Sequence, residues 1–148
     1  MIGQVMAAAI GTVAFSVLYS VPRKYYPYCG LIGGTGWLVY CLVIPHGSAA
    51  EATLAASVVV VILSRLFAVW EKCPVTIFLI TGIFPLVPGG GVYWTAYYIV
   101  TNQTELAAET GFSALKVAVA IVLGIIFVFQ IPQKLFSFRK IHITGGKL

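Results

Sequence analysis

A run of proline and glycine interrupts the most apolar part of the chain. Pro85 and Pro88 lack a backbone N–H donor, and three glycines follow them directly, Gly89, Gly90 and Gly91. An α-helix does not continue through such a run, so we expect two half-helices separated by a break. Backbone groups freed at a break inside a membrane can bind a solute directly, which is the chemistry of a discontinuous transporter helix.

The two sides of this break would recognise opposite charges. The amides of residues 89–91 would begin the outer half-helix, where the helix dipole favours an anion such as a carboxylate. The carbonyls of residues 81–84, beginning with Thr81, would close the inner half-helix and favour a cation or an ammonium group. A site of this shape fits an amino acid end to end. The alternative is a proline kink whose backbone groups are satisfied by neighbouring helices.

Side chains near the break supply further candidates for a transport path. Tyr93 and Tyr97 lie four residues apart and therefore share one helix face next to the glycines. Arg65 and Lys116 are charged residues within apolar segments, where a charge is costly and usually functional. The alternatives are an interfacial belt for the aromatic rings and snorkelling of the two long cationic side chains towards the membrane surface.

Catalytic and metal-binding chemistry has no support in the sequence. The histidines, His46 and His142, are predicted to lie at opposite faces of the membrane. The sequence has no paired-carboxylate spacing, no metal-ligand cluster and no Walker-type glycine loop. We therefore expect neither an enzyme nor a bound metal or cofactor.

The composition is that of an integral membrane protein. Hydrophobic residues make up 60% and charged residues 9% of the 148-residue chain, and the mean hydropathy is +1.00. The net charge of +5 comes from basic residues at the ends of apolar segments, which does not favour nucleic-acid binding. We expect one small domain embedded in the lipid bilayer.

Five apolar segments predict five transmembrane helices in an all-α fold. The predicted spans cover residues 2–19, 27–44, 49–70, 74–100, which is broken at 85–91, and 104–129. Ser48 and Glu51 have the spacing of a capping box ahead of the third span, and residues 102–105 are a second candidate cap ahead of the fifth. We expect residues 1–138 to form this domain and residues 139–148 to form a polar, disordered tail.

The loop charges orient the predicted spans. Arg23, Lys24 and Lys72 lie in loops that follow odd-numbered spans, and further basic residues follow the fifth span. The loops at residues 45–48 and 101–109 contain no Lys or Arg. Because basic loops stay in the cytoplasm, this pattern predicts an outer N-terminus and an inner C-terminus.

Small residues recur in the first two spans at a spacing that lets membrane helices approach closely. The first span carries Gly3, Ala7 and Gly11, and the second carries Gly30 and Gly34. These residues either pack helices within one protomer or allow one stripe to meet a partner subunit. Because five spans form a thin bundle, we favour oligomerisation with either interpretation.

Four motifs together resemble a known family. The most specific is the stretch Gly82-Ile83-Phe84-Pro85-Leu86-Val87-Pro88-Gly89-Gly90-Gly91-Val92-Tyr93. The supporting motifs are Val21-Pro22-Arg23-Lys24, Gly36-Trp37 and Cys73-Pro74-Val75-Thr76-Ile77-Phe78. Over residues 14–129 the chain resembles the small-subunit, YjjB-like type of the threonine/serine exporter family.

The resemblance implies a bacterial inner-membrane exporter of small metabolites. Members of the family are linked to threonine and serine, and related two-subunit systems to dicarboxylates such as succinate. In single-chain members the matching region is the C-terminal half, so the resemblance implies a separate, larger membrane subunit as a partner. It supplies no ligand-binding residues, and the candidate site therefore rests on the physical argument alone.

We interpret the sequence as a multi-pass subunit of a secondary exporter. A small carboxylate-bearing substrate would bind near the break of the fourth span and cross by alternating access. Two alternatives stay open, a passive channel lined by the same break and a non-transporting assembly subunit that stabilises a larger transporter.

Overall fold

Six α-helices form the regular structure of residues 1–132, the part of the chain that the computed structural model describes, and this part contains no β-strand. The helices are α1 (Ile2–Leu18), α2 (Tyr26–Val43), α3 (Ala49–Glu71), α4 (Thr76–Ile83), α5 (Gly89–Val100) and α6 (Thr104–Gln130). Short 3₁₀ turns lie at Arg23–Tyr25, Ile44–His46 and Phe84–Leu86. The all-α prediction is confirmed for this part. The predicted tail, residues 139–148, lies outside the described residues.

Three helical segments are long and apolar enough to cross a membrane. They are α2 with its flanking turns (Arg23–His46), α3 and α6. Helices α4 and α5 pass the same test only as a pair, which is bent by 51° and provides a fourth candidate span. Helix α1 is apolar but shorter, with 17 residues. The described residues therefore contain three or four candidate spans, and the predicted count of five stays a prediction.

Local hydrogen bonds determine where the helices begin and end. The capping box is confirmed, because the Glu51 amide donates to Ser48 Oγ at 3.3 Å and the Ser48 amide donates to Glu51 Oε2 at 2.9 Å. The second predicted cap is wrong, since α6 begins behind Gln103 without a side-chain cap. Asn102 instead ends α5 with a φ of 59°, and the Gln103 amide bonds back to the Tyr98 carbonyl at 2.9 Å.

Gly33 and Gly34 of α2 pack against α1. A Cβ atom at Gly33 would overlap the side chain of Thr12, and one at Gly34 would lie 3.3 Å from a side-chain atom of α1. These glycines therefore serve packing within the protomer. The stripe on α1 differs, because a Cβ at Gly3 or Gly11 would meet nothing within 4 Å. Gly3 is exposed, whereas Gly11 lines an open cavity beside the turn at Phe84–Leu86.

The core lies where α2, α3 and α4 meet. Ile32, Val60 and Phe78, one from each helix, are fully buried. A Cβ atom at Gly82 on α4 would lie 2.5 Å from Ile32 Cγ2 and 3.1 Å from Val60 Cγ1. The absence of a side chain at Gly82 therefore lets α4 sit directly against both neighbours. This packing fixes α4, whereas α5 leaves the bundle beyond the break.

The two described basic loops lie at the same end of the bundle. Tyr28 on α2 donates a hydrogen bond to Glu71 on α3 at 3.1 Å, which joins the loop containing Arg23 and Lys24 to the loop containing Lys72. This arrangement agrees with the alternation on which the predicted orientation depends. The side of the membrane on which this end lies stays a prediction.

Candidate functional site at the break between α4 and α5

The break consists of a 3₁₀ turn followed by two residues. Helix α4 ends at Ile83, the turn covers Phe84–Leu86, and Pro88 is the N-cap of α5 with a φ of −75° and a ψ of 53°. The segments on either side meet at 51°. The predicted interruption is therefore present. The three glycines, however, form the first turn of α5, so the bend lies a few residues before them.

The glycine side of the break carries the free amide end of a helix. The Gly89 amide donates to the Val87 carbonyl at 2.7 Å, and the first bond inside α5 runs from the Val92 amide to the Pro88 carbonyl at 3.0 Å. The amides of the two intervening glycines belong to the first turn, where N–H groups have no partner within the helix. The helix dipole makes this end favourable for an anion.

The carbonyl side of the break is partly satisfied by the turn itself. The Thr81 carbonyl accepts a bond from the Phe84 amide, and the Phe84 carbonyl accepts one from the Val87 amide at 3.2 Å. The Thr81 side chain is 1% exposed and donates to the Ile77 carbonyl at 3.1 Å. Two of the carbonyls expected to receive a cation are thus already bonded. The amide side is the stronger candidate for solute binding.

Open space surrounds the first turn of α5. A Cβ atom at Gly89 or Gly90 would meet nothing within 4 Å, whereas one at Gly91 would lie 3.0 Å from the Cβ of Ala114 on α6. Helix α5 contains no buried residue and has extensive contacts only with α6 among the described elements. Two of the three glycines therefore present their backbone to the outside of this chain, and the third packs against a helix.

The aromatic residues of α5 lie on its exposed surface. Tyr93 is 64% and Tyr97 is 46% exposed. The ring of Trp94 lies between them in edge contacts, with centroids 5.5 Å from Tyr93 and 5.6 Å from Tyr97. The rings form one cluster that continues the open glycine edge along the helix. They do not line an enclosed cavity within the described chain.

Lys116 lies away from the glycines. Its Nζ atom is 4.7 Å from the ring centroid of Phe112, in a groove of about 470 Å³ between α3 and α6 that Glu51 also lines. Ala114 faces Gly91, and two positions along a helix correspond to a rotation of about 200°. Lys116 therefore projects from the opposite face of α6, and the fold does not bring it to the start of α5.

Arg65 lies at the other end of α4 from the break. It is 5% exposed, its Nη1 donates to the Val128 carbonyl on α6, and its guanidinium carbon lies 5.5 Å from the Phe129 ring centroid. It lines a cavity of about 700 Å³ together with Lys72 and the beginning of α4. The predicted site residues thus separate into three places: the break, the Lys116 groove and the Arg65 cavity.

A cavity beside the break contains residues that the sequence argument missed. It measures about 420 Å³ and is lined by Gln4, Ala7, Ala8, Gly11, Phe15, Trp37, Phe84 and Pro85. The indole Nε1 of Trp37 is buried without a hydrogen-bond partner among the described residues. Gln4 and Trp37 carry polar groups on largely apolar helices. This contrast in polarity is the sequence feature that could have indicated the cavity.

Two loop groups at the basic end have shifted pKa values. Burial raises the pKa of the Cys73 thiol, and a side-chain hydrogen bond with Tyr25 raises the pKa of Lys24. The thiol is therefore protonated and Lys24 is charged at neutral pH. No group of three His, Cys, Asp or Glu residues within residues 1–132 is arranged to hold a metal ion.

An apolar helical bundle with a discontinuous helix and a free amide end at the bend has the architecture of a membrane transport protein. The comparison with known families agrees: the family model described as Threonine/Serine exporter, ThrE, matches residues 4–131. The chain belongs to the threonine/serine exporter family, whose members are exporters rather than enzymes. This finding confirms the resemblance seen in the motifs. No solved structure matches the chain.

Proposed function

We propose that this chain is one subunit of a secondary exporter of small carboxylate-bearing metabolites across the bacterial inner membrane. The substrates are threonine and serine or a dicarboxylate such as succinate. The observation that carries the proposal is the open first turn of α5 beside a 51° break, where a Cβ atom at Gly89 or Gly90 would meet nothing within 4 Å. The amides of this turn offer a carboxylate hydrogen bonds at the positive end of a helix dipole. Membership of the exporter family supports the direction of transport.

The packing suggests which parts move. Helix α4 is held against α2 and α3 through Gly82, whereas α5 has no buried residue and packs along α6. In the proposed mechanism α4 and α6 stay packed against α3, and α5 changes its angle at Pro88. The start of α5 then faces each side of the membrane in turn, which is alternating access.

A larger membrane subunit of the same family is the proposed partner. The exposed aromatic face of α5 and the exposed start of α1 around Gly3 are two surfaces without a close neighbour in the described chain. Both are suited to a second membrane helix or to lipid. A homo-oligomer is the alternative assembly. Cross-linking in native membranes followed by identification of the linked chain separates the two.

The proposed orientation has an outer N-terminus and an inner C-terminus. Its support is the position of Arg23, Lys24 and Lys72 at one end of the bundle. Fluorescent and alkaline phosphatase fusions at each terminus measure it, because the phosphatase is active only outside and the fluorescent protein is bright only inside. Phosphatase activity at the C-terminus would reverse the assignment.

Efflux measurements with a single glycine variant test the substrate site. Cells are preloaded with threonine, serine or succinate, and efflux is compared between wild type and Gly90→Leu at matched membrane abundance. The control is Ala108→Leu, which adds similar bulk at an exposed position of α6. We expect Gly90→Leu to lose efflux and the control to retain it. Unchanged efflux with Gly90→Leu would show that the break is only a packing kink.

Two further measurements separate exporter, channel and assembly subunit. A carrier saturates and is accelerated by substrate on the opposite side, whereas an open pore shows neither behaviour. If the chain is only an assembly subunit, efflux should change in proportion to the abundance of the partner in every variant. The preference between threonine and succinate should then stay the same.

A further inference from the structure

The cavity at the basic end of the bundle lies between α3, α4 and α6 and is lined by two cationic side chains, Arg65 and Lys72. It measures about 700 Å³, which is within the usual range of about 300–1,000 Å³ for small-molecule sites. Its lining residues are Arg65, Ala68, Val69, Lys72, Cys73, Pro74, Val75, Phe129, Ile131 and Pro132. None of these lining residues is acidic.

Arg65 is buried and forms part of the wall of this cavity. Its side chain is 5% exposed and is oriented by the bond from Nη1 to the Val128 carbonyl and by the Phe129 ring. A guanidinium carries five donors in a rigid fork, so it can bind a carbonyl and a carboxylate together. Such a fixed cation recognises an anion at little cost in side-chain entropy.

Two other features of the cavity favour an anion. Lys72 contributes an exposed ammonium group from the loop between α3 and α4. Val75 lines the cavity and is the N-cap of α4, so the positive end of that helix dipole also faces this space. A buried guanidinium, an exposed ammonium and a helix N-terminus therefore surround one space.

We propose that this cavity is a second carboxylate-binding site, the inner entry site at which the substrate is captured before it reaches the break. The assignment rests on the proposed function, because it takes the exported carboxylate as the ligand. Arg65 and Lys72 bind the carboxylate, and Phe129 and Ile131 contact the apolar part of the molecule. Helix α4 then connects the two sites, with the entry site at its beginning and the break at its end.

Cys73 provides a local test because this residue lines the cavity. The experiment uses inside-out vesicles that contain the full-length chain with Cys29→Ser and Cys41→Ser. The membrane proteins that accompany the chain in the cell are also present. The rate of Cys73 alkylation by a maleimide is measured at increasing concentrations of succinate or threonine. Threoninol, which lacks the carboxylate, serves as the ligand control. We expect succinate and threonine to slow alkylation and threoninol to leave it unchanged.

Charge variants then assign the protection to the two cations. We expect the half-protecting concentration to rise about tenfold or more in Arg65→Gln and about threefold in Lys72→Gln. Arg65→Lys should recover part of the loss. Arg23→Gln removes an exposed charge from the same end of the bundle outside the cavity, and it should change the value less than about twofold.

The outcomes distinguish the entry site from the proposed function. Saturable transport without protection of Cys73, equal protection by threoninol, or equal values in wild type and Lys72→Gln would overturn the entry site and leave the exporter intact. Lys72→Gln keeps this test decisive if Arg65→Gln fails to fold, since Lys72 is exposed. Protection without any transport of threonine, serine or succinate would retain the anion site and refute the exporter.

Discussion

Gly124 on α6 and Ser57 on α3 lie so close together that a Cβ atom at Gly124 would overlap Ser57 Oγ. The Ser57 hydroxyl donates to the Leu54 carbonyl of its own helix at 2.8 Å, so it is held in place at the contact. This pair sets the distance between α3 and α6. Through α6 it also positions α5, because α5 packs along α6.

Enlarging Gly124 should separate α3 from α6. We expect Gly124→Val to destabilise the protein by about 1–3 kcal/mol, since the added methyl groups have no space. The midpoint of thermal unfolding in detergent measures the effect. Gly3→Val is the matched control, because a Cβ at Gly3 meets nothing within 4 Å. Equal midpoints for the two variants would contradict the close contact.

Neighbouring glycines of α5 should respond differently to the same substitution. A side chain at Gly91 collides with Ala114, whereas one at Gly90 enters open space. We expect Gly91→Leu to lower stability by about 1–3 kcal/mol and Gly90→Leu to leave it nearly unchanged. Unfolding midpoints and membrane abundance measure both. A loss of stability with Gly90→Leu would mean that another part of the protein covers that turn.

The capping box at the start of α3 should be worth a measurable stability difference. Ser48→Ala removes the oxygen that accepts the Glu51 amide, and we expect a loss of about 1 kcal/mol. Ser48→Asp keeps an acceptor and should retain most of the stability. Ser113→Ala, at an exposed position of α6, controls for loss of a hydroxyl. Thermal unfolding that is the same for Ser48→Ala and Ser113→Ala would show that the cap contributes nothing.

The raised pKa of Cys73 should appear in its reactivity. The thiolate is the reactive form, so a raised pKa leaves less thiolate at a given pH and displaces the alkylation profile to higher pH. The rate of maleimide reaction between pH 7 and 10 measures this in a variant carrying Cys29→Ser and Cys41→Ser. A cysteine introduced by Arg23→Cys, with Cys73→Ser, gives the exposed reference. Coinciding profiles would show that burial has no effect on the thiol.

Sequence reasoning was most successful where neighbouring residues along the chain determine the structure. The capping box needs only Ser48 and Glu51, three positions apart, and the interruption between α4 and α5 needs only the missing donors of Pro85 and Pro88. Asn102 is the instructive failure. A short polar side chain suits a helix start, but here its left-handed φ ends the preceding helix. Asparagine is favoured both at a helix N-cap and as the left-handed residue that ends a helix.

Which residues meet across helices depended on the tertiary structure. The small residues of α1 and α2 look equivalent in the sequence, yet Gly33 and Gly34 pack against α1, while Gly3 is exposed and Gly11 lines a cavity. Gly91 and Lys116 lie on adjacent helices, α5 and α6, but the rotation of α6 places Ala114 against Gly91 and directs Lys116 elsewhere. Periodicity defines the faces of each helix but does not specify which neighbour a face meets.

Hydrophobicity, proline and helix caps act over a few neighbouring residues, so an apolar, all-helical protein with a discontinuous helix could be predicted before the fold was known. Helix packing, by contrast, brings Arg65 and Lys72 to one cavity and leaves the α5 turn at Gly90 open. Those relationships arise from helix rotation and from close packing at Gly82 and Gly124, which join residues far apart in the chain.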